Sequence, residues 1–466
     1  MRKKLLAVIA AAAMAVTMMP AMVFATGTTV EINGNSAGTA VQDAVTAAKA
    51  NPVTIKFTDN YSGNGVVVQN GQTVVFDLGG NTWDITGLVG SPGTETNGMQ
   101  LLKGSTVTIK NGKITSETAN FLIQNYCNLT LTDVTLDGTD LNHQYTLSNN
   151  CGNVSIEGTT QITAPEGGFA FDVCYWPASY PTGPTVTINS EDVVIDGNIE
   201  LGTNGTVTNP EENNTCLIIK SGRINGAIAK TTEASHANVT ITGGDFSTDV
   251  SKFLPENLVL LATCYYTASG DKDFHYWPVT ESDALANATV KMGNIYYIDP
   301  IDAIEMNPGM TDEEVENNRI AYQVAFYAVT PTGLDTGENN TYLTIPIENG
   351  GIAAYLKASG KEIVAPAAVD GYKFIGWYAA ADNNYEWTGD YGEQLKNFKY
   401  GEKIDMNARV TEDTEYFAAW EKIDAGEKPE KSPETGDESN MAVPFAAAGL
   451  ALAAMAAAVA ARRRHN

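Results

Sequence analysis

Apolar residues in the first half of the chain recur as pairs two positions apart, each followed by a Gly, Asn, Asp or Ser corner. The pairs are Val107/Ile109 before Asn111-Gly112, Leu129/Leu131 before Asp133, and Val154/Ile156 before Gly158. They continue with Val186/Ile188 before Asn189-Ser190, Leu217/Ile219 before Ser221-Gly222, and Val239/Ile241 before Gly243-Gly244. Residues two apart on a strand share a face, so each pair points to one interior. The residues between them, Thr108, Thr130, Ser155, Thr187, Ile218 and Thr240, point outward, and all but Ile218 carry a hydroxyl. The second inward position recurs in steps of 22, 25, 32, 31 and 22 residues. A step in the low twenties suits one turn of a parallel β-solenoid, and the longer steps imply insertions. Sharp corners between strands need left-handed backbone, which Gly and Asn tolerate. Antiparallel hairpins would instead show two-residue turns, which are scarce here.

Other periodicities flank this region. Residues 39–50 read as a short amphipathic helix with Val41, Ala44, Val45 and Ala48 on one face, stopped by Asn51-Pro52. The stretch Phe169-Ala-Phe-Asp-Val-Cys-Tyr175-Trp176-Pro177, running on to Tyr180-Pro181, falls in the longest interval and reads as a loop outside the coil. Residues 265–297 are a transition with an aromatic cluster, and Thr311 followed by three acids reads as a helix start. From Ile320 a half-buried strand of period two begins, with a second at 342–347. The chain starts with a basic Arg2-Lys3-Lys4, an apolar run at 5–16 and the small-residue site Val23-Phe24-Ala25, which reads as a secretory leader cut after Ala25. It finishes with an uncharged apolar run at 441–461, about the 20 residues a membrane-spanning helix needs, and three arginines at 462–464 that favour the cytoplasmic side.

Three resemblances follow from these residues. Ser432-Pro433-Glu434-Thr435-Gly436, the apolar run and the basic tail resemble the sorting signal of Gram-positive surface proteins. That resemblance implies a sortase cut between Thr435 and Gly436, transient membrane anchoring and covalent attachment to peptidoglycan. Ser432 stands where the family's usual motif has Leu. The repeated strand pairs resemble the right-handed parallel β-helix of the pectate-lyase-like superfamily, over residues 26–280, and residues 245–254 resemble the closing turn of surface proteins of this type. Gly371-Tyr-Lys-Phe374-Ile-Gly376-Trp377-Tyr378, closing with Asp413-Thr to Trp420, resembles the Listeria–Bacteroides, or internalin-B-type, repeat over residues 320–422. It implies a β-grasp-like stalk or weak interaction module. The expected fold class is all-β: a parallel β-helix, a connecting segment at 281–319, the repeat module, a linker with the sorting motif at 423–437, and terminal signal and membrane helices at 1–25 and 441–461 ahead of a basic tail at 462–466.

Composition narrows the partners. With 28 basic and 55 acidic residues the formal charge is −27, and cutting off both ends makes the chain more acidic still. Such a surface repels nucleic acid and anionic lipid. A glycan or host protein is the expected ligand, with adhesion as the role; a wall-attached polysaccharide lyase or hydrolase using acids on the coil face is the alternative, and a purely structural spacer the third. No complete catalytic constellation is legible, and Arg223 is the one arginine between 26 and 280. The best carboxylate set is the repeat Asp133…Asp137-Gly and Asp192…Asp196-Gly, with calcium as the cation it would suit and corner capping as the plain role. Acids four apart on a strand lie about 13 Å apart, too far for a glycosidase pair, whereas acids from adjacent coils come closer. Tyr175, Trp176 and Tyr180 are candidate sugar-stacking residues or, alternatively, cover for the coil's side. Phe374, Trp377 and Trp420 read as core. Five cysteines leave one odd, and Cys127 and Cys151, just ahead of consecutive strands, are either a disulfide or stacked small residues.

Overall fold

The computed structural model describes residues 27–207, 215–331, 339–381 and 399–423. The chain is mostly β and divides into two compact units, Met1–Pro255 and Glu256–Asn466. The leader with Ala25, the motif at 432–436 and the apolar run at 441–461 lie outside the described residues. Among the described residues no helix is long and apolar enough to cross a membrane.

The first unit is made of three parallel ladders. In ladder one Val30, Ile55, Phe76, Ile109, Leu131, Ile156, Ile188, Ile219 and Ile241 are successive register partners. The column expected from Ile109 onward is therefore one physical row, and it reaches three strands further upstream. Ladder two stacks Tyr61, Trp83, Ile114, Leu136, Ile162, Ile195, Ile224 and Phe246 in the same way. Ladder three stacks Val66, Met99, Ile123, Leu147, Phe171, Ile199 and Ile228. Apart from Val30, every one of these side chains is buried, each adding about 1.5–3 kcal/mol of transfer free energy. Ladder three also buries polar groups inside: Asn125 donates to Asn149 Oδ1 (2.8 Å) and to Cys127 O (3.1 Å), and Asn149 donates to Gly152 O (2.9 Å). Both amides thus replace the hydrogen bonds they lost to water.

The corners behave as their residue types require. Asn111, Asp133, Gly158, Gly222 and Gly244 all have positive φ. At Gly158 a side chain is excluded twice over, by φ +63° and because a Cβ would meet Asp133 Oδ1 at 2.2 Å. The helix Ala40–Ala48 (α1) buries Val41 and Val45 and is tied down by Gln72, whose amide donates to Val45 O and Lys49 O at 2.8 and 3.0 Å.

Two expectations are corrected. Phe169–Tyr175 is not an excluded loop but a strand of ladder three, paired to Tyr145–Asn149 and to Asn198–Thr203. Its alternation was hidden because Ala170, Phe171, Asp172 and Val173 are all buried, so no face reads as polar. The hydroxyl stripe is not uniformly open either: Thr108 and Ser155 are buried while Thr240 is exposed. Partners in one row sit a strand spacing apart and shade each other.

In the second unit an antiparallel hairpin, Val259–Tyr266 with Lys272–Val279, precedes two capped helices, Pro300–Met306 (α2) and Asp312–Asn317 (α3). Thr311 caps α3 in a reciprocal box with Glu314, as its sequence predicts. A five-stranded sheet follows. Its order is Thr341–Pro346, Ala321–Tyr327, Thr414–Lys422, Tyr372–Ala380, Tyr400–Lys403, with only the Ala321–Tyr327/Thr414–Lys422 pair parallel. The helix Ile352–Ser359 (α4) contributes Ile352 and Tyr355 to its core with Phe326, Trp377 and Phe417. Phe374 and Trp420 pack on that core half-buried, and Trp420 donates its indole N–H to Val329 O (2.8 Å), a structural role. The register slips between Phe374 and Gly376, where φ of +128° explains the glycine.

Candidate ligand-binding face

Ladder three carries the richest polar row. Gln100 pairs with Gln124 and Gln124 with Ser148. Ser148 and Asp172 follow the paired Leu147 and Phe171, and Asp172 pairs with Glu200. Register partners in a parallel sheet project to the same side, so one row runs Gln100, Gln124, Ser148, Asp172, Glu200. Gln124 Oε1 accepts from both Gln100 and Asn97 at 3.0 Å. Tyr145 donates its hydroxyl to Glu200 Oε2 at 2.6 Å, and the Asn149 N–H donates to Asp172 Oδ1. Beside the row stands an aromatic file. Tyr145 stacks on Phe169 with centroids 5.0 Å apart, and His143 lies 4.6 Å from Phe121 and 6.2 Å from Tyr145. Phe121, Tyr145 and Phe169 are half-buried in this file, and His143 is exposed.

The electrostatics single out Asp172. Burial pushes its carboxyl up to about 8; the Asn149 N–H opposes this and the negative charge of Glu200 adds to it. Burial, followed by the hydrogen bond to Glu200, also pushes the Tyr145 phenol upward. A carboxyl raised in this way is the ordinary consequence of removing it from water.

The residues expected from sequence fall elsewhere. Tyr175 is 5% exposed, its hydroxyl donating to Tyr180 O (3.3 Å), so burial removes it from any stacking surface. Trp176 is half-buried, its indole donating to Asn150 Oδ1 (2.9 Å). Tyr180 is half-buried under Lys103, whose Nζ lies 4.1 Å above the ring and donates to Ser179 O (2.9 Å). These three cover the side of the unit. The aspartates are dispersed as well. Asp133 accepts from the Thr159 N–H and hydroxyl at 2.9 and 3.2 Å, holding a corner. Asp137 accepts from Thr139 and pairs with Lys113 at 2.7 Å; against the upward push of burial, those bonds hold its carboxyl below the usual range. Asp192 is exposed on a turn, and Asp196 accepts from Asn225 (2.6 Å), separated from Asp137 by Thr163 in the same row. Among the described residues no group of three or more His, Cys, Asp or Glu side chains is placed to hold a metal ion. Arg223 is engaged by Asp245 (2.8 Å) and Asn225, linking neighbouring strands of ladder two.

Cys127 and Cys151 are separate thiols, like the other three cysteines. Cys127 turns its sulfur to Asn125 Oδ1 (3.2 Å) and Asn128 O (3.4 Å), whereas Cys151 Sγ accepts the Trp176 N–H (3.0 Å). The two sulfurs are thus turned to different partners. Burial pushes both thiols up, to about 12 for Cys127 and about 11 for Cys151, which keeps them unreactive at neutral pH.

Sequence reading missed Asp172, Glu200 and Tyr145. The available signal was an acid set alone in an apolar strand, Phe-Ala-Phe-Asp172-Val; its partner lies 28 residues on and is joined to it only by register. Comparison with known proteins finds no matching family, no similar curated protein and no similar solved structure.

Proposed function

We propose that this chain is an exported surface protein, anchored to peptidoglycan through Thr435, whose first half winds into a right-handed parallel β-helix that binds glycan. The repeat module, read as β-grasp-like, serves as the stalk. The leader, the Pro433-Glu434-Thr435-Gly436 motif and the basic tail support the address. The unbroken in-register columns support the coil. The observation that carries glycan binding is the row Gln100, Gln124 and Glu200 alongside Tyr145 and His143: amide, carboxyl, hydroxyl and imidazole groups on one face, which suits a ligand with hydroxyls along its length.

Two experiments test this. Glycan-array binding by the exported protein should be seen and should fall at least tenfold in Gln124→Ala combined with His143→Ala; equal binding by the variant would place the ligand elsewhere. Thr435→Ala should shift the protein from the wall fraction to membrane and medium, and unchanged wall attachment would end the anchoring reading.

A further inference from the structure

The turn between the first strand of ladder one, Thr28–Ile32, and α1 begins with Asn33-Gly34, and Asn33, Gly34 and Asn35 are all exposed. Asn33 Oδ1 accepts the Asn35 N–H at 2.9 Å, and Ser36 Oγ holds the Asn33 N–H at 3.0 Å. A bond from one residue to the second after it closes a small ring around Gly34. That ring sets the side-chain carbonyl carbon of Asn33 beside the Gly34 nitrogen, and the Asn35 N–H polarises the carbonyl. Among the described residues nothing accepts the Gly34 N–H, and glycine leaves its nitrogen approachable. Asp59 stands alongside. Its Oδ1 accepts the Asn60 N–H at 2.8 Å, and its Oδ2 lies 3.3 Å from where a Gly34 Cβ would sit. Other Asn-Gly pairs are held. Gly65 and Gly71 donate to Gly87 O (2.7 Å) and Gly104 O (3.1 Å), and Asn97 is buried. The amides of Asn111 and Asn225 donate to Asp77 Oδ1 (2.9 Å) and Asp196 Oδ1 (2.6 Å).

We propose that Asn33-Gly34 is a self-modifying site, at which Asn33 loses its amide through a cyclic imide, with the Asn35 N–H as oxyanion donor and Asp59 as base. In the first step the Gly34 nitrogen bonds to Asn33 Cγ while Asp59 takes its proton. The bond from Cγ to the side-chain nitrogen then breaks, and that nitrogen takes the proton from Asp59 and leaves as ammonia. In the second step water adds to one of the two imide carbonyls, the bond from that carbon to the Gly34 nitrogen breaks, and a proton returns to the nitrogen. One water is consumed and one ammonia released; no oxidant or reductant takes part. The product is aspartate or isoaspartate, with one more negative charge. In isoaspartate the main chain runs through the side chain and is one carbon longer. The turn is thereby lengthened, and the oxygen that accepts the Ser36 N–H at 2.9 Å becomes part of a free carboxylate. The entry to α1 therefore loosens with the age of the molecule.

The test uses the full chain, aged at neutral pH and sampled over weeks. Peptide mapping by mass reads conversion at each Asn-Gly, and electron-transfer fragmentation tells aspartate from isoaspartate. In the folded protein Asn33 should convert at least tenfold faster than Asn111 and Asn225. It should also convert at least threefold faster than Asn204, which precedes Gly205 and is equally exposed. In denaturant the four sites should converge. Gly34→Ala should slow Asn33 at least tenfold, because the methyl shields the nitrogen. Asp59→Asn and Asp59→Ser should each slow it at least threefold and leave Asn204 unchanged. Conversion of Asn33 no faster than Asn111 would overturn the site. A rate equal to that of Asn204 would reduce the site to exposure alone and overturn the roles given to Asn35 and Asp59. An unchanged rate in both Asp59 variants, with native melting temperatures, would remove Asp59 as the base. Faster conversion of Asn33 in denaturant than in the folded protein would show that the fold protects this turn, against the proposal.

Discussion

The ladders of the first unit and the five-stranded sheet of the second solve the same burial problem differently. In the ladders each interior residue meets its register partner on the next strand, so Ile109, Leu131, Ile156, Ile188 and Ile219 do one job repeatedly. The sheet of the second unit has no repeated row. It closes over one aromatic cluster, where Trp377 touches Phe326 and Phe374 edge-on at 5.3 and 5.4 Å, and each ring has a place no other could take. Repetition spreads stability over many equal contacts and leaves whole rows of outward positions to vary. A single cluster concentrates it. The row of acids and amides is found in the repetitive unit, where the interior does not depend on any one outward residue.

That contrast can be broken or sharpened by measurement. The largest effect is expected from Trp377→Ala, which should destabilise the second unit by about 3–5 kcal/mol in denaturant unfolding; a loss under 1 kcal/mol would show that its core is not concentrated. Ile156→Ala, in the middle of ladder one, should cost about 2–4 kcal/mol, and Ile188→Ala nearly the same, since the two sites are equivalent; a large difference between them would argue against equal sharing.

A pH effect comes next. The Asp172 carboxyl binds its proton more tightly when folded than when unfolded. Its contribution is therefore fully present below the ordinary carboxyl range of about 4 and is lost as pH rises toward about 8. Stability of the native protein should fall across that window, and Asp172→Asn should flatten the fall; parallel pH–stability curves for the two proteins would contradict the burial. The smallest change is expected from Thr240→Ala on an exposed outward position, within about 0.5 kcal/mol; a loss above 1 kcal/mol would mean that the hydroxyl row is structural.

Much of the fold was legible. The two-apart aliphatic pairs, their corners and their intervals foretold the column of ladder one from Ile109 to Ile241, and of the three aromatics expected in the core Trp377 is buried while Phe374 and Trp420 pack on it half-buried. The strand at Phe169–Tyr175 was not legible, because a segment buried on both faces shows no alternation. The candidate site was less legible still. Asp133, Asp137, Asp192 and Asp196 repeat conspicuously, yet each meets its own corner, its own partner or solvent.

By itself the sequence determined which positions of ladder one face inward, where the backbone must turn, and how acidic the chain is, since those properties belong to single residues and short spacings. Only the tertiary structure decided that Asp172 stands beside Glu200 and under the reach of Tyr145. These residues are 28 and 55 positions apart along the chain, and their meeting depends on the length of every turn between them, which no local pattern encodes.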